Sequence, residues 1–312
     1  MAVINTIASM SAGCGGESIN TGDLGCDIEF GLVIHALGFK KGVVIPASTD
    51  ITQDYIDGLV QSGDVIPMMD AFSSEPSIAD DTLETSPLGV EALTLKGLPK
   101  YMLTMKAGQY FYKQMSKLTG FGNINWVLGD VNGNWKFAVN TDGAFTGFTA
   151  GQTLSAITTP ATATETEKKS FTFQLTDRTQ IDLSYAVILS ANLFPISDVT
   201  GINGVLLSYA DVNGAVPPAS GDTTLKVKAL LAADKHTGIA GLAATNFKYT
   251  VNGAAEVPTL VDNGDGFYTL TITALAASTI LLNIYDSTVN KDVAIVSSEL
   301  YRSNVLSEVV SA

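Results

Sequence analysis

The chain has 312 residues, a net charge of −14, and 46% hydrophobic against 15% charged residues. That is enough apolar material for two or three domains with cores of their own, which excludes intrinsic disorder. The acidity excludes a surface that reads DNA, because phosphates would be repelled. Low charge, 29 glycines and a positive mean hydropathy of +0.26 point to a β-rich structural protein. Part of its surface is expected to be buried against other subunits. Up to Val205 there are 21 acidic and 11 basic residues, so most of the negative charge sits in the first part.

Residues 1–30 are rich in Gly and Ser, lack periodicity, and read as an extended arm. A faint lipoprotein-like site at Gly13-Cys14 has no preceding Lys or Arg, and no export signal is read there. Cys14 and Cys26 do not make a disulfide framework; they read as free thiols, a local pair being the alternative. Residues 30–46 hold two short apolar runs, expected as two strands split at Lys40-Lys41-Gly42, with His35 as a core or interface residue. From Thr49 to Ser62 the residues Ile51, Tyr55, Ile56, Leu59 and Val60 fall at helical spacing, with Thr49 or Asp50 as cap. Val65–Met69 reads as an edge strand, since Pro67 cannot donate to a ladder. Phe72–Pro87 carries Glu75, Asp80, Asp81 and Glu84 and is expected to be an acidic loop, either plainly solvated or functional.

In the middle, Tyr101–Lys106 alternates as a strand and Gln109–Leu118 has the apolar face of a short helix. Trp126–Leu128 and Trp135–Val139 flank the turn Asp130–Asn134 as a hairpin, and Phe145–Phe148 follows the turn at Asp142-Gly143. Ser170–Leu175 is a further strand, Ile181–Leu193 is expected to be helical in part, and a linker is placed at Ser197–Asn203. Beyond it, Thr223–Leu231, Phe247–Val251 and Ser278–Asp286 read as strands, and Val293–Val296 as a last one. Asn252-Gly253 and Asp262–Gly266 supply turn chemistry, and after the second turn Tyr268, Leu270 and Ile272 alternate with threonines, predicting a strand with one buried face.

Motifs for chemistry are few. Asp130-x-Asn132-x-Asn134 opens like a calcium loop, but Trp135 and Thr141 stand where the glycine and the distal acid are required. Gly120-Phe121-Gly122 lacks the third glycine of a dinucleotide site, and no phosphate-cradling or nucleophile-elbow motif occurs. Two histidines, His35 and His236, leave little general-base chemistry and too few metal ligands. No catalytic, cofactor or metal residue is assigned, no cofactor is expected, and the chain reads as a non-enzyme.

The residues Gly238–Phe247, the Asn252-Gly253 turn and the stretch from Asp262 to Thr271 together resemble a bacterial or phage Ig-like domain. As a whole, the chain resembles the major tail tube proteins of long-tailed bacteriophages. The resemblance rests on architecture and on the helix Thr49–Ser62, the stretch Leu83–Phe148 and the strand Phe171–Leu175. It implies a mainly β fold with a sandwich or barrel-like assembly domain over 1–199, one or two short helices, and an Ig-like β-sandwich over 200–312. It further implies a virion structural protein, made in the host cytoplasm, whose partners are itself in six-fold rings and other virion proteins. DNA would pass without being bound, and no membrane is involved. A head decoration or tail adaptor protein, or a bacterial surface or secreted binding protein, is the alternative.

Overall fold

The computed structural model describes residues 5–6, 30–85, 87, 91–106, 109–155, 158–182, 184–188 and 193–311. The expected N-terminal arm, with Cys14 and Cys26, lies outside them except for Asn5, Thr6 and Phe30. The fold is mainly β, with 48% strand and 10% helix. Three helices occur among the described residues, Gln53–Ser62, Gln109–Ser116 and Arg178–Asp182, and none is long and apolar enough to cross a membrane. The chain divides into two compact units, Met1–Ile56 with Gly63–Val199, and Asp57–Ser62 with Thr200–Ala312.

The first unit is built on two large sheets. One runs Asn5–Thr6, Tyr185–Ile188, Trp135–Val139, Ile124–Asp130, Val33–Lys40, Val65–Pro67, with Phe145–Thr146 added to Trp135–Val139. Its central strands are buried almost continuously, the signature of a sheet covered on both faces. On one face Trp126 stacks on Phe173 at 4.8 Å and meets Phe171 edge-on at 5.2 Å. On the other, Trp135 stacks on Phe137, and Phe39 and Phe145 close around it. The second sheet runs Ser73–Ile78, Pro99–Met105, Lys169–Leu175, Ala150–Ser155, Gly120–Phe121. Leu103, Met105, Phe171 and Phe173 bring it into the Trp126 core.

Several expectations need correction here. The two strands expected over 30–46 are one, Val33–Lys40; beyond the turn only Ile45 pairs, with Phe145. The helix starts later than expected, at Gln53, and the side chain at its start is Thr52, whose hydroxyl accepts the Tyr55 N–H. The acidic loop is not a loop. Ser73–Ile78 pairs with Pro99–Met105, and Thr82–Thr85 pairs with Glu91–Leu95 as a separate two-stranded hairpin. Helix was expected within Ile181–Leu193, yet the helical turn precedes most of it, at Arg178–Asp182, and Tyr185–Ile188 is a strand. Pairing with Trp135–Val139 overrides local preference in a stretch whose apolar run fits either state.

The second unit is a two-sheet sandwich. One sheet runs Thr259–Asp262, Phe267–Thr271, Thr224–Leu231, Asn203–Asp211, Glu299–Ser303, Ala294–Val296, with Gly214–Ala215 added to Asn203–Asp211. The other runs Ala254–Glu256, Phe247–Val251, Ser278–Ile284, Leu306–Val310. Side chains alternate cleanly: Val205, Leu207, Leu225, Val227, Tyr249, Tyr268, Leu270, Ile280 and Leu282 face one shared core. Asn252 and Gly253 both take positive φ, the twist that a two-residue hairpin requires. Val293–Val296 is not the last strand, as two more follow it.

Candidate functional site

The hairpin Thr82–Thr85/Glu91–Leu95 stands outside both large sheets of the first unit. An irregularity between Thr82 and Leu83 sets Leu83 opposite Leu93 and Thr82 opposite Leu95. These three leucines are 53%, 46% and 67% exposed, and Ile78, at the end of the neighbouring strand, is exposed as well. A two-stranded hairpin is marginal by itself in water, and an uncovered leucine face adds no stability to it.

What fixes the hairpin is its neck. The Gly97 N–H donates to Asp81 Oδ1 at 2.6 Å, and the Gly97 carbonyl accepts from Arg178 Nη1 at 2.7 Å. Both backbone groups of one glycine are therefore held by side chains of opposite charge. Arg178 is oriented in turn by Asp182, whose carboxylate accepts its Nε–H; that hydrogen bond, and then the charge of Asp182, raise the guanidinium pKa further. The neck is tight: a Cβ at position 97 would lie 1.7 Å from the Ala79 carbonyl oxygen.

Charge along this part of the chain is segregated. Residues 42–95 contain ten Asp and Glu and no Lys, Arg or His, whereas residues 96–117 contain five Lys and no acid. The pairing of Ser73–Ile78 with Pro99–Met105 converts that order into space. Ile78 is opposite Pro99 at the hairpin end, and Ser73 is opposite Thr104 at the other. Just beyond Ser73 and Met105 lies an exposed aromatic ring, Phe72, with Lys106 Nζ 3.6 Å and Lys168 Nζ 5.6 Å from its centroid. Phe72 is 58% exposed. Glu165 accepts from Lys168 at 2.8 Å, a contact that, with the charges of Lys168 and Lys106, lowers the Glu165 pKa. Behind them the buried Lys169 pairs with Glu167 and lies over the Tyr112 ring. A six-residue strand separates the two ends by about 20 Å.

In the calcium-like turn the Asp130 carboxylate is engaged by the turn's own donors. Asp130 is buried and its carboxylate accepts from Gly31 N, Asn132 N, Asn134 N and Asn134 Nδ2, all at 2.8–2.9 Å. Burial opposes its ionisation, but these hydrogen bonds outweigh burial and hold the carboxyl below its usual range. The turn serves the hairpin, as its sequence suggested. Among the described residues no group of three or more His, Cys, Asp or Glu is placed to hold a metal.

His35 is buried in the sheet, with Nδ1 2.7 Å from the exposed Asp70 but without hydrogen-bond alignment. His236 belongs to the other unit, in a turn ordered by Asp234. Outside the Asp130 turn, no pair of candidate functional side chains singled out from the sequence is brought together among the described residues; Cys14 and Cys26 lie outside these. In the second unit, an open hollow of about 280 Å³ lies beside Asp211, Lys226 and Phe267, crossed by the Lys226–Asp211 ion pair at 2.9 Å. It holds no convergent set of unpaired polar groups.

Sequence reasoning singled out the acidic segment, but missed its leucine face and the cluster of Phe72, Lys106 and Lys168. The acid-free stretch 96–117 signalled Lys106, but Phe72 and Lys168 lie outside it and join the cluster only through the fold. No protein-family model matches the chain, and the search of curated proteins returns no match.

Proposed function

We propose that the chain is a structural subunit that assembles with copies of itself, and that it serves as a virion protein of the tail-tube kind. The first unit would build stacked rings around a DNA channel and the second would stand outside as an Ig-like decoration. The observation that carries this reading is the hairpin of the first unit, with a leucine face and a charged neck but no covering element among the described residues. Surfaces of this kind are an aggregation hazard in a monomer and an asset in a symmetric assembly. A predominance of acid in the first unit suits a channel that must not hold DNA.

The Ig-like part of the proposal is supported by strand order. Taken in sequence, the strands Asn203–Asp211, Thr224–Leu231, Phe267–Thr271 and Thr259–Asp262 lie side by side, and Phe247–Val251, Ser278–Ile284 and Leu306–Val310 form the facing sheet. With the short strands Gly214–Ala215 and Ala254–Glu256 left out of the count, this matches the division expected of an Ig sandwich, in which the first, second, fifth and fourth strands oppose the third, sixth and seventh. The additional hairpin Ala294–Val296/Glu299–Ser303 departs from it.

Sedimentation velocity and negative-stain electron microscopy of the full chain test the reading. Rings or tubes are the expected result. A protein that stays single at every concentration overturns it and favours the alternative of a surface-binding protein with an Ig-like module.

A further inference from the structure

Within this reading of the chain as a self-assembling subunit, the two ends of the strand pair Ser73–Ile78/Pro99–Met105 are chemically complementary. At one end hangs the hairpin, with exposed Leu83, Leu93 and Leu95. Asp80, Asp81, Glu84 and Glu91 lie between Ala79 and Leu95 without a single base. At the other end Phe72 offers an exposed apolar ring under two ammonium groups, Lys106 and Lys168, against the one carboxylate of Glu165. Neither end suits a copy of itself. Two hairpins brought face to face would set four carboxylates against four, and two lysine ends would likewise repel.

We infer that the leucine-faced acidic hairpin of one copy docks on the Phe72–Lys106–Lys168 end of a second copy, head to tail. The leucines cover the Phe72 ring, and Glu84 and Glu91 reach the lysine ammonium groups. Both surfaces remain available after one contact has formed, because each copy donates a hairpin at one end and receives one at the other. Such a heterologous contact propagates, and its rotation sets whether it closes into a ring or extends into a filament. The neck explains why the hairpin can serve as a donor. Asp81 and Arg178, each bonded to Gly97, fix its direction before docking, so less ordering remains to be done on association.

Complementation between two dead ends tests the contact. A hairpin variant, Leu83→Asp with Leu93→Asp, and a receiver variant, Phe72→Asp with Lys106→Glu, change exposed side chains only. Each alone is expected to stay single at concentrations where the unchanged chain assembles, with association weakened at least about ten-fold. Mixed in equal amounts they should form complexes of two copies and stop, since one intact hairpin meets one intact receiver and both outer ends are dead. The two-copy complex should also weaken with salt, because its charged contacts are exposed. Complex formation in the mixture further shows that both variants are folded. If the receiver variant assembles as the unchanged chain does, the head-to-tail contact is wrong while self-assembly stands. Equally, a mixture that yields no complex, from variants that keep the unchanged melting temperature, overturns the contact. An unchanged chain that never assembles overturns both the contact and the proposed function.

Discussion

The side-chain amide of Asn304 pairs with both backbone groups of Leu207: its Oδ1 accepts the Leu207 N–H at 2.7 Å and its Nδ2 donates to the Leu207 carbonyl at 3.3 Å. The strand Glu299–Ser303 runs parallel to Asn203–Asp211 as far as the pair Val205–Ser303, after which the chain leaves for the opposite sheet as Leu306–Val310. Asn304 continues the ladder with a side chain where the backbone has departed. Its neighbour Ser303 does the converse, accepting the Ile284 N–H of the opposite sheet at 2.8 Å. Consecutive side chains thus hold one sheet each at the crossover.

Asn304→Ala should therefore leave the Leu207 N–H without its acceptor and destabilise the second unit by about 1–3 kcal/mol. Asn304→Asp keeps an acceptor and should cost less. Hydrogen exchange at the Leu207 amide and urea unfolding of the two variants check the order; equal losses would mean that the shorter Oδ1 contact contributes nothing and that the whole effect lies with Nδ2.

Tyr268 gives a pH prediction. Its hydroxyl donates to the Ile239 carbonyl at 2.6 Å and accepts the Leu242 N–H at 3.3 Å. Burial, the leading cause, pushes its pKa up to about 12. A raised folded-state pKa contributes stability that is complete below the unfolded value of about 10 and is lost as pH rises through the folded one. Unfolding midpoints should fall between about pH 10 and 12, and Tyr268→Phe should flatten part of that fall while lowering stability at neutral pH by about 1 kcal/mol. An unchanged slope in the variant would assign the alkaline loss to other tyrosines.

Asp130 predicts the opposite limb. Its depressed pKa means stability present above the unfolded carboxyl value of about 4 and lost as pH falls through the folded one. Asp130→Asn should reduce acid sensitivity, and Asp130→Ala should cost about 3 kcal/mol by orphaning several donors in the turn. Calcium and EDTA should leave the midpoint of the unchanged protein where it is, since the carboxylate is already occupied by the turn. Acid and thermal titrations in the presence of each additive measure this.

The sequence was most readable where one face of a strand is buried and the other wet. Tyr268, Leu270 and Ile272 alternate with threonines and are buried, and Asn252-Gly253 takes the twist its composition calls for. It was least readable where pairing comes from far along the chain. Ser73–Ile78 is a polar stretch with Pro76 in its middle, and nothing local marks it as a strand; its place at the sheet edge leaves room for a missing donor and comes from Pro99–Met105. Leu306–Val310 hides for a similar reason, since Ser307 and Val309 face solvent and Glu308 interrupts the apolar pattern. The acidic segment drew notice by charge alone, but its leucine face needed the register that sets Leu83 against Leu93.

Gly97 tests whether the neck directs the hairpin. With a Cβ only 1.7 Å from the Ala79 carbonyl, Gly97→Ala must push apart the two chains that enter the hairpin and strain the contacts to Asp81 and Arg178. Limited proteolysis should then cut between residues 80 and 96 at least about ten-fold faster, reflecting local opening there, while the aromatic core around Trp126 keeps its near-ultraviolet signature. Arg178→Ala should act in the same direction more weakly. Cleavage that stays slow in both variants would show that the hairpin is held by something other than its neck.

The second unit supplies the last prediction. The hairpin and the Phe72 end both belong to the first unit, so a chain ending at Val199 should retain the assembly of the full chain within about two-fold of its association strength. The isolated segment 200–312 should stay single, with β-type circular dichroism, because the core residues Val205, Leu225, Val227, Tyr268, Leu270 and Ile280 all lie within it, although Asp57–Ser62 of the same unit does not. Removing residues 1–29 should weaken ordered assembly instead: Asn5 and Thr6 pair with Val187 and Ala186, and their loss bares the edge of the strand Tyr185–Ile188, where non-specific pairing would compete with the ordered contact. Sedimentation of the three proteins decides between these outcomes. If assembly follows the second unit rather than the first, the second unit is the interaction module and the ring-building role proposed for the first unit is wrong.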